Sequence, residues 1–182
     1  MKADNSDMKT LGLLRHAKSD WDDIAKRDFD RGLNDRGRKG ALLIGRHIAR
    51  HGPKFELLLA SPAERVRQTL AAALPDLEPE FDQRLYLAAA DTLMDVLREK
   101  AGDADAVLVA AHNPGLQELL FALVPPSAED ALFDDAANKY PTATFAIFTL
   151  DIDDWADLGE DCGQLVHFKR PRDLDSTLGP EF

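Results

Sequence analysis

The stretch Leu-Gly-Leu-Leu-Arg-His-Ala-Lys-Ser at residues 11–19 decides how this chain folds. The run at residues 10–14 predicts a buried strand, and this strand ends directly at Arg15 and His16. In open α/β sheets, ligands bind beyond the carboxyl ends of the strands. The pair is therefore a candidate site, and the alternative is two solvated polar residues at a strand end.

A second strand is predicted at residues 55–60, followed by Ser-Pro-Ala-Glu at 61–64. This motif predicts a helix with Ser61 as its N-cap and Glu64 closing a capping box. Arg65 then lies in the first helical turn, close to backbone N–H groups that attract anions. The alternative for Arg65 is an ordinary solvated position on a helix surface.

The third predicted strand, residues 106–111, is the clearest in the chain and runs directly into His112. Asn113 is predicted to cap the helix that follows. A lone histidine is more often a structural residue than a catalyst, but this one follows a third strand-to-helix turn. We therefore expect His112 at the same sheet edge as Arg15 and Arg65.

The remaining pattern predicts further helices and two late strands. Asn34 is a plausible N-cap for a helix at about 35–50, with Gly52 as its left-handed cap. Asp91 is a plausible N-cap for a helix that ends near residue 100. Four other segments are interpreted as follows: 78–86 as a loop or short edge strand, 125–138 as an acidic surface excursion, 142–150 as a strand and 164–168 as an edge strand.

Strands that alternate with helices predict an α/β fold. We expect a three-layer α/β/α sandwich with a mainly parallel sheet and helices on both faces. Its 182 residues suit a single domain at 1–182, with polar tails at about 1–9 and 170–182.

Composition narrows the class of function. The net charge of −11 argues against nucleic-acid binding, which needs clustered cations. No apolar run is long enough to span a membrane, and the start of the chain has no apolar leader. The single cysteine, Cys162, agrees with a reducing compartment. We expect a soluble cytoplasmic protein.

The predicted sheet edge would bring together two guanidinium and two imidazole groups, from Arg15, His16, Arg65 and His112. Guanidiniums supply forked donors for oxyanions, and the histidines can act as one neutral nucleophile and one charged clamp. A tetrahedral dianion such as a phosphoryl group is the natural occupant of such a pocket.

At these residues the chain resembles the histidine phosphatase superfamily, which includes the cofactor-dependent phosphoglycerate mutases. It is most similar to the small SixA-type phosphohistidine phosphatases. The resemblance spans about residues 10–150, and the matching pieces, in order, are LLRHAKS (13–19), LNDRG (33–37), SPAERVRQT (61–69) and HNPG (112–115). Four pieces in the right order are far more specific than Arg-His alone.

The resemblance implies a phosphoglycerate mutase-like fold and a role for each matching residue. His16 would be the nucleophile that accepts the phosphoryl group, and Arg15 and Arg65 would hold its oxygens. His112 would donate to a phosphoryl oxygen, and Ser19 would lie near the phosphate. No metal or other cofactor is implied, because the cations supply the charge stabilisation.

Two departures from the family pattern bear on the substrate. Ala17 replaces the glycine that usually follows the catalytic histidine, which is a mark of the SixA-like branch. The glutamate or aspartate general acid of many phosphoesterases has no matching motif. Asp91 is the nearest candidate, although an N-cap role competes, and the loop carboxylates Asp20, Asp22 and Asp23 are alternatives.

Without a general acid, an alkoxide leaves with difficulty, whereas the imidazole of a phosphohistidine leaves readily. The sequence therefore favours a phosphohistidine phosphatase whose substrate is a phosphorylated molecule such as a phosphohistidine-bearing signalling protein. The alternatives are a phosphomonoesterase of the same superfamily and a non-enzymatic module that binds phosphorylated partners. His47 and His51 have a spacing that can bind zinc, but no third ligand is evident, so they are interpreted as surface histidines.

Overall fold

A computed structural model describes residues 8–179 of the chain. Its described part contains one six-stranded sheet with the strand order β3-β2-β4-β1-β5-β6. The strands are β1 (Lys9–Arg15), β2 (Leu57–Ala60), β3 (Pro79–Phe81), β4 (Ala106–Ala111), β5 (Phe145–Leu150) and β6 (Gly163–Lys169).

The sheet is mixed but mainly parallel, as predicted. The four strands β3, β2, β4 and β1 pair in parallel, whereas β5 is antiparallel to both β1 and β6. Only β5 therefore runs opposite to the other described strands. As a result, the start of β5 lies at the same edge of the sheet as the carboxyl ends of β1, β2 and β4.

Helices cover both faces of the sheet, which confirms the predicted three-layer architecture. The helices are α1 (Asp35–His51), α2 (Glu64–Ala73), α3 (Ala90–Lys100), α4 (Gly115–Leu123), α5 (Ala131–Asn138) and α6 (Pro171–Leu174). Side chains of α1 and α2 pack in one core, and those of α3, α4 and α5 pack in the other.

The sequence of the strands explains the two cores. Every residue of β4 is buried, as expected for a strand covered on both faces. In β1, Leu13 packs in the α3–α5 core and Leu14 packs in the α1–α2 core, because successive side chains point to opposite faces.

Of the two caps predicted for α1, one is confirmed and one is wrong. The Asn34 side chain accepts a hydrogen bond from the Gly37 N–H at 2.8 Å, which confirms the predicted cap. Gly52 follows α1 with φ −80°, so its prediction as a left-handed cap is wrong. Gly102, after α3, is the glycine that has a left-handed conformation, at φ +57°.

Three other predicted caps are wrong. The N-cap of α2 is Ala63 and not Ser61, that of α3 is Ala89 and not Asp91, and that of α4 is Pro114 and not Asn113. None of these three N-cap residues makes a side-chain cap. The Ser61 hydroxyl oxygen accepts from the Ala63 N–H at 3.3 Å and also contacts His112 at the sheet edge, whereas the Asn113 amide donates to the Tyr140 carbonyl oxygen.

Two segments are more regular than the sequence indicated. The acidic stretch at 125–138 contains α5, capped by Asp130, whose carboxylate accepts from the Phe133 N–H at 2.9 Å. Residues 170–179, expected to be part of a tail, contain α6 and a 3-10 turn at Ser176–Leu178. Residues 78–86 supply the short edge strand β3, one of the two forms predicted. The ends of the chain, 1–7 and 180–182, lie outside the described residues.

Within residues 8–179, no helix has both the length and the apolar character needed to cross a bilayer. The longest described helix, α1, carries several charged residues along its 17 positions.

Helices α1 and α2 pack very closely at Gly45. A Cβ atom on this glycine would lie 2.2 Å from the Ala73 carbonyl oxygen and 2.5 Å from its Cα. Both obstacles are backbone atoms, so one of the helices would have to shift. Gly40, on the same helix, has room, since its Cβ would meet no atom closer than 3.6 Å.

We expect Gly45→Ala to lower the free energy of unfolding by about 1–3 kcal/mol, because overpacking outweighs the better helix propensity of alanine. Gly40→Ala, the matched control, should leave stability unchanged or raise it by up to about 1 kcal/mol. Urea unfolding of the three chains checks this, and equal midpoints for Gly45→Ala and the parent chain would contradict it.

Candidate active site

The structure brings four of the predicted site residues together at the carboxyl edge of the sheet. Arg15 ends β1, and His16 follows it. Arg65 lies in the first turn of α2, and His112 follows β4. Because β1 and β4 are neighbours, the ring centroids of His16 and His112 lie 5.2 Å apart.

The His16 ring is buried and has one determined partner. Its Nδ1 lies 2.7 Å from the Ala17 carbonyl oxygen, which can only accept, so Nδ1 carries the proton. Nε2 therefore holds the lone pair, and it has no hydrogen-bond partner among residues 8–179. Burial lowers the pKa of His16 to about 3, with smaller contributions from Arg15 and Arg65. The ring is neutral near pH 7.

Backbone bonds hold His16 from several sides. Its N–H donates to the Ala111 carbonyl oxygen at 3.2 Å, and its carbonyl oxygen accepts from the Ala143 N–H at 2.9 Å. The next residue, Ala17, donates its N–H to the Thr69 hydroxyl oxygen at 2.9 Å. The ring is thus carried on a segment tied to β4, to the start of β5 and to α2.

His112 is also buried, and its tautomer is opposite to that of His16. Its Nδ1 lies 3.3 Å from Nη2 of Arg65, which can only donate, so Nδ1 accepts. Its Nε2–H then donates to the Ser61 hydroxyl oxygen at 2.7 Å. Burial lowers the pKa of His112 to about 3, and the nearby His16 and Arg65 add to this effect.

The Arg15 guanidinium has one hydrogen-bond partner among the described residues. Its Nη1 donates to the Tyr140 carbonyl oxygen at 3.0 Å, which also accepts from Nδ2 of Asn113 at 3.0 Å. Burial lowers the pKa of Arg15, and Arg65 acts in the same direction. Its Nε–H is buried without a hydrogen-bond partner in the described part of the chain. Such a donor indicates a position for an external acceptor.

Asp28 is the carboxylate that contacts this group. Its Oδ2 lies 3.1 Å from Arg65 Nη2, and its carbonyl oxygen accepts from Arg65 Nη1 at 2.8 Å. The Tyr86 hydroxyl donates to the same Oδ2 at 2.5 Å. Burial alone would raise the pKa of Asp28, but the hydrogen bonds from Tyr86 and Arg65 lower it overall. Asp28 is therefore ionised near neutral pH.

The charges of the pocket do not cancel. Arg15 and Arg65 are both cationic, the two histidines are neutral, and Asp28 supplies one negative charge. The Arg65 side chain is only 6% exposed, whereas that of Asp28 is 44% exposed. A buried net positive charge favours an anionic ligand, and two arginines favour one with several oxygens.

Two predicted residues do not join this group. The Ser19 hydroxyl oxygen accepts from the Trp21 indole N–H at 3.0 Å and contacts none of the four central side chains through a hydrogen bond. Asp91 is exposed in the first turn of α3, and no hydrogen bond or ion pair among the described residues links it to the pocket.

Sequence reasoning missed Asp28, Tyr86, Ser61 and Tyr140 as site residues. Asp28 lies in the charged loop at 18–31, where the other acids gave no reason to select it. Ser61 follows β2 directly, at the same sheet edge as His112, and this position was a usable signal. The capping interpretation of Ser61 obscured it.

The histidines at 47 and 51 have a neighbour that the sequence did not reveal. The Nε2 atoms of His47 and His167 lie 2.7 Å apart, at hydrogen-bond distance, and His47 is buried. The interpretation of His47 as a surface residue is therefore wrong. In the described part of the chain, no group of three or more His, Cys, Asp or Glu side chains has a geometry that could hold a metal ion.

Comparison with known proteins agrees with this geometry. The family model described as histidine phosphatase superfamily (branch 1) matches residues 11–86, a segment that contains Arg15, His16 and Arg65. An uncharacterized protein of Mycobacterium tuberculosis is 35% identical over 161 residues, which are 87% of this chain and 100% of that protein.

Two solved structures are similar to the chain in both fold and sequence. The candidate phosphohistidine phosphatase SixA of Nakamurella multipartitia superimposes with a TM-score of 0.79, at 28% identity, over 90% of this chain and 96% of that one. The candidate SixA of Agrobacterium tumefaciens gives a TM-score of 0.74, at 28% identity, over 90% and 98%. The chain therefore belongs to the histidine phosphatase superfamily, in its SixA-type branch.

Proposed function

We propose that the chain is a phosphatase that transfers a phosphoryl group to His16 and then hydrolyses the phosphohistidine so formed. The observation that carries this proposal is the neutral His16 ring. Its proton is held on Nδ1 by the Ala17 carbonyl, which leaves the Nε2 lone pair free beside two guanidinium groups. A neutral imidazole with a defined tautomer is the form that acts as a nucleophile.

In the first step, Nε2 of His16 attacks phosphorus, and the bond from phosphorus to the leaving group breaks. Arg15 and Arg65 bind the phosphoryl oxygens as their charge is redistributed. The Nε–H of Arg15, which has no hydrogen-bond partner among residues 8–179, is one donor available for this purpose. The leaving group departs with the bonding electron pair and takes a proton from solvent.

His112 changes its role when the anion binds. In the structure its Nδ1 accepts from Arg65. A dianion beside it would favour the protonated ring and would also draw the Arg65 N–H groups. Nδ1–H of His112 would then donate to a phosphoryl oxygen, while Nε2–H keeps its bond to Ser61.

In the second step, water attacks phosphorus, and the bond between phosphorus and Nε2 of His16 breaks. The electron pair returns to Nε2, inorganic phosphate leaves, and the proton lost by water passes to solvent. We assign no metal to either step, because the two arginines supply the positive charge that a metal ion would otherwise provide.

The need to protonate a leaving alkoxide favours a phosphohistidine over a phosphate ester as substrate. Asp28 is ionised and hydrogen-bonded to Tyr86, so it is poorly suited to protonate an alkoxide. Imidazole leaves without such help. The two SixA structures similar to this chain are candidate phosphohistidine phosphatases, which supports the same choice. The partner we propose is a phosphohistidine-bearing protein.

The experiment that tests this function compares phosphate release from a phosphohistidine-bearing carrier protein and from an aryl phosphate ester, both in chelator. His16→Ala should lower turnover of the preferred substrate by about a thousandfold or more, since it removes the nucleophile. His51→Ala, on the exposed end of α1, is the matched control and should retain activity.

Recovery of acid-labile, base-stable phosphate on the parent chain, but not on His16→Ala, would support the covalent step. Faster release from the ester would favour the phosphomonoesterase alternative. If neither substrate is turned over while both chains bind phosphate, the enzymatic proposal fails and a binding module is favoured.

Asp28 competes with the phosphoryl group for Arg65, because its carboxylate already occupies Nη2. We expect Asp28→Asn to bind inorganic phosphate about threefold to fivefold more tightly, the gain of about 1 kcal/mol typical of a partly exposed ion pair. The inhibition constant of phosphate measures this change. Asp30→Asn, on the same 3-10 turn but paired with Arg27, is the control. Weaker phosphate binding by Asp28→Asn would show instead that Asp28 orients Arg65.

Because the His16 ring is neutral in the folded chain, we expect the free energy of unfolding to depend on pH. Its pKa is about 3 in the folded chain and about 6.5 when unfolded, so between these values the unfolded chain binds more protons. Stability is therefore lost as the pH falls below about 6.5.

The lowered pKa of His16 should account for about 2 kcal/mol of the fall in the free energy of unfolding between pH 7 and pH 5. His16→Asn removes this contribution, so its unfolding free energy should fall less over the same interval. Urea unfolding of both chains at the two pH values provides the comparison. If the free energy of unfolding fell equally for both chains, the pKa of His16 would not be lowered by folding, which would contradict the prediction.

A further inference from the structure

A second cavity lies beside the catalytic pocket and has a strongly cationic lining. It has a volume of about 330 Å³ and is formed by the His16–α1 connection, the start of α1, the segment before β5 and the segment after β6. Its cationic lining residues are Lys18, Arg36, Lys139, Arg170 and Arg172. No Asp or Glu is among the described residues that line it.

These cations differ in their bonding. Arg170 is paired with Asp135 and Asp173, each at 3.1 Å, so its charge is largely compensated. By contrast, Lys18, Lys139 and Arg172 have no carboxylate partner among residues 8–179.

The three cations without a described carboxylate partner line one cavity, although the chain as a whole has a net charge of −11. Asp and Glu residues are abundant in this chain, and other lysines form ion pairs with them. Lys100, for example, lies 3.2 Å from Glu80 and 3.5 Å from Asp82. The described lining of the cavity therefore carries positive charge and no carboxylate, and clefts of one sign attract ligands of the other.

The cavity shares a wall with the catalytic pocket but contains none of its four central side chains. Ala17 and Ala143 line it. The Ala17 carbonyl fixes the proton of the His16 ring, and the Ala143 N–H donates to the His16 carbonyl oxygen at 2.9 Å. A ligand in the cavity would thus lie directly behind the segment that carries His16.

We propose that this cavity is a second anion-binding site that takes a small molecule bearing one or more phosphate groups. Three cations without a carboxylate partner in the described part of the chain suit a multiply charged anion better than a single carboxylate. The volume is within the range of small-molecule pockets, about 300–1,000 Å³, and leaves room for an organic part beside the phosphate. The site does not depend on the chemistry of His16.

The test measures binding of inorganic pyrophosphate by calorimetry at constant ionic strength. The parent chain should bind two equivalents, one in each pocket. Arg65→Gln, which disables the catalytic pocket, should still bind one equivalent. Adding Lys139→Gln and Arg172→Gln to that chain should weaken the remaining site by at least about tenfold, because two charge-assisted contacts are lost.

The matched control adds Arg46→Gln and Lys54→Gln to the Arg65→Gln chain. Both residues are exposed, and the net charge changes by the same amount. This control should bind pyrophosphate as the Arg65→Gln chain does, and circular dichroism verifies that every variant is folded.

Two results would overturn the proposal. One is that folded Arg65→Gln binds no pyrophosphate, and the other is that the control pair weakens binding as much as the cavity pair. Neither result bears on hydrolysis at His16, because turnover by the parent chain is measured separately.

Discussion

The constraint on which the site depends is that two guanidinium groups, one buried and one half-buried, lie at one edge of the sheet. A buried cation is unfavourable unless it is paired or fully hydrogen-bonded. Arg65 meets this requirement with Asp28 and His112, but Arg15 keeps a buried N–H without a described partner. The two guanidinium groups therefore favour an external anion as ligand, and the Asp28 carboxylate compensates part of their charge.

Burial, reinforced by the same positive charge, explains why the two histidines are neutral. Both rings are buried, and each also lies close to at least one arginine, so protonation is unfavourable for either ring. Different hydrogen-bond partners then separate their roles. The Ala17 carbonyl leaves Nε2 of His16 unprotonated, whereas Ser61 holds the proton of His112 on its Nε2.

Much of the architecture could be predicted because it depends on local patterns. Apolar strands covered on both faces identified β1, β2 and β4, and the polar residues at their ends identified Arg15, His16, Arg65 and His112. The missed residues depend on distant contacts. Asp28 reaches Arg65 only because its loop folds over the first turn of α2.

The cap signals failed for a related reason. Ser61 and Asn113 have side chains that suit a helix start, and their predicted roles relied on local propensity. In the structure, the Ser61 hydroxyl oxygen accepts from His112 as well as from the Ala63 N–H, and the Asn113 amide donates to the Tyr140 carbonyl oxygen. Tertiary partners at the sheet edge outweighed the local preference.

The antiparallel direction of β5 has a consequence for the order in which the candidate site can assemble during folding. Because β5 enters the sheet from the edge that carries Arg15 and His16, the segment before it supplies the Tyr140 carbonyl to Arg15 and the Ala143 N–H to His16. Tyr140 follows Arg15 by 125 positions. The groups that fix the His16 segment therefore come from a part of the chain that is distant in sequence. A partly folded chain in which β5 has not joined the sheet would leave Arg15 and His16 without these two contacts.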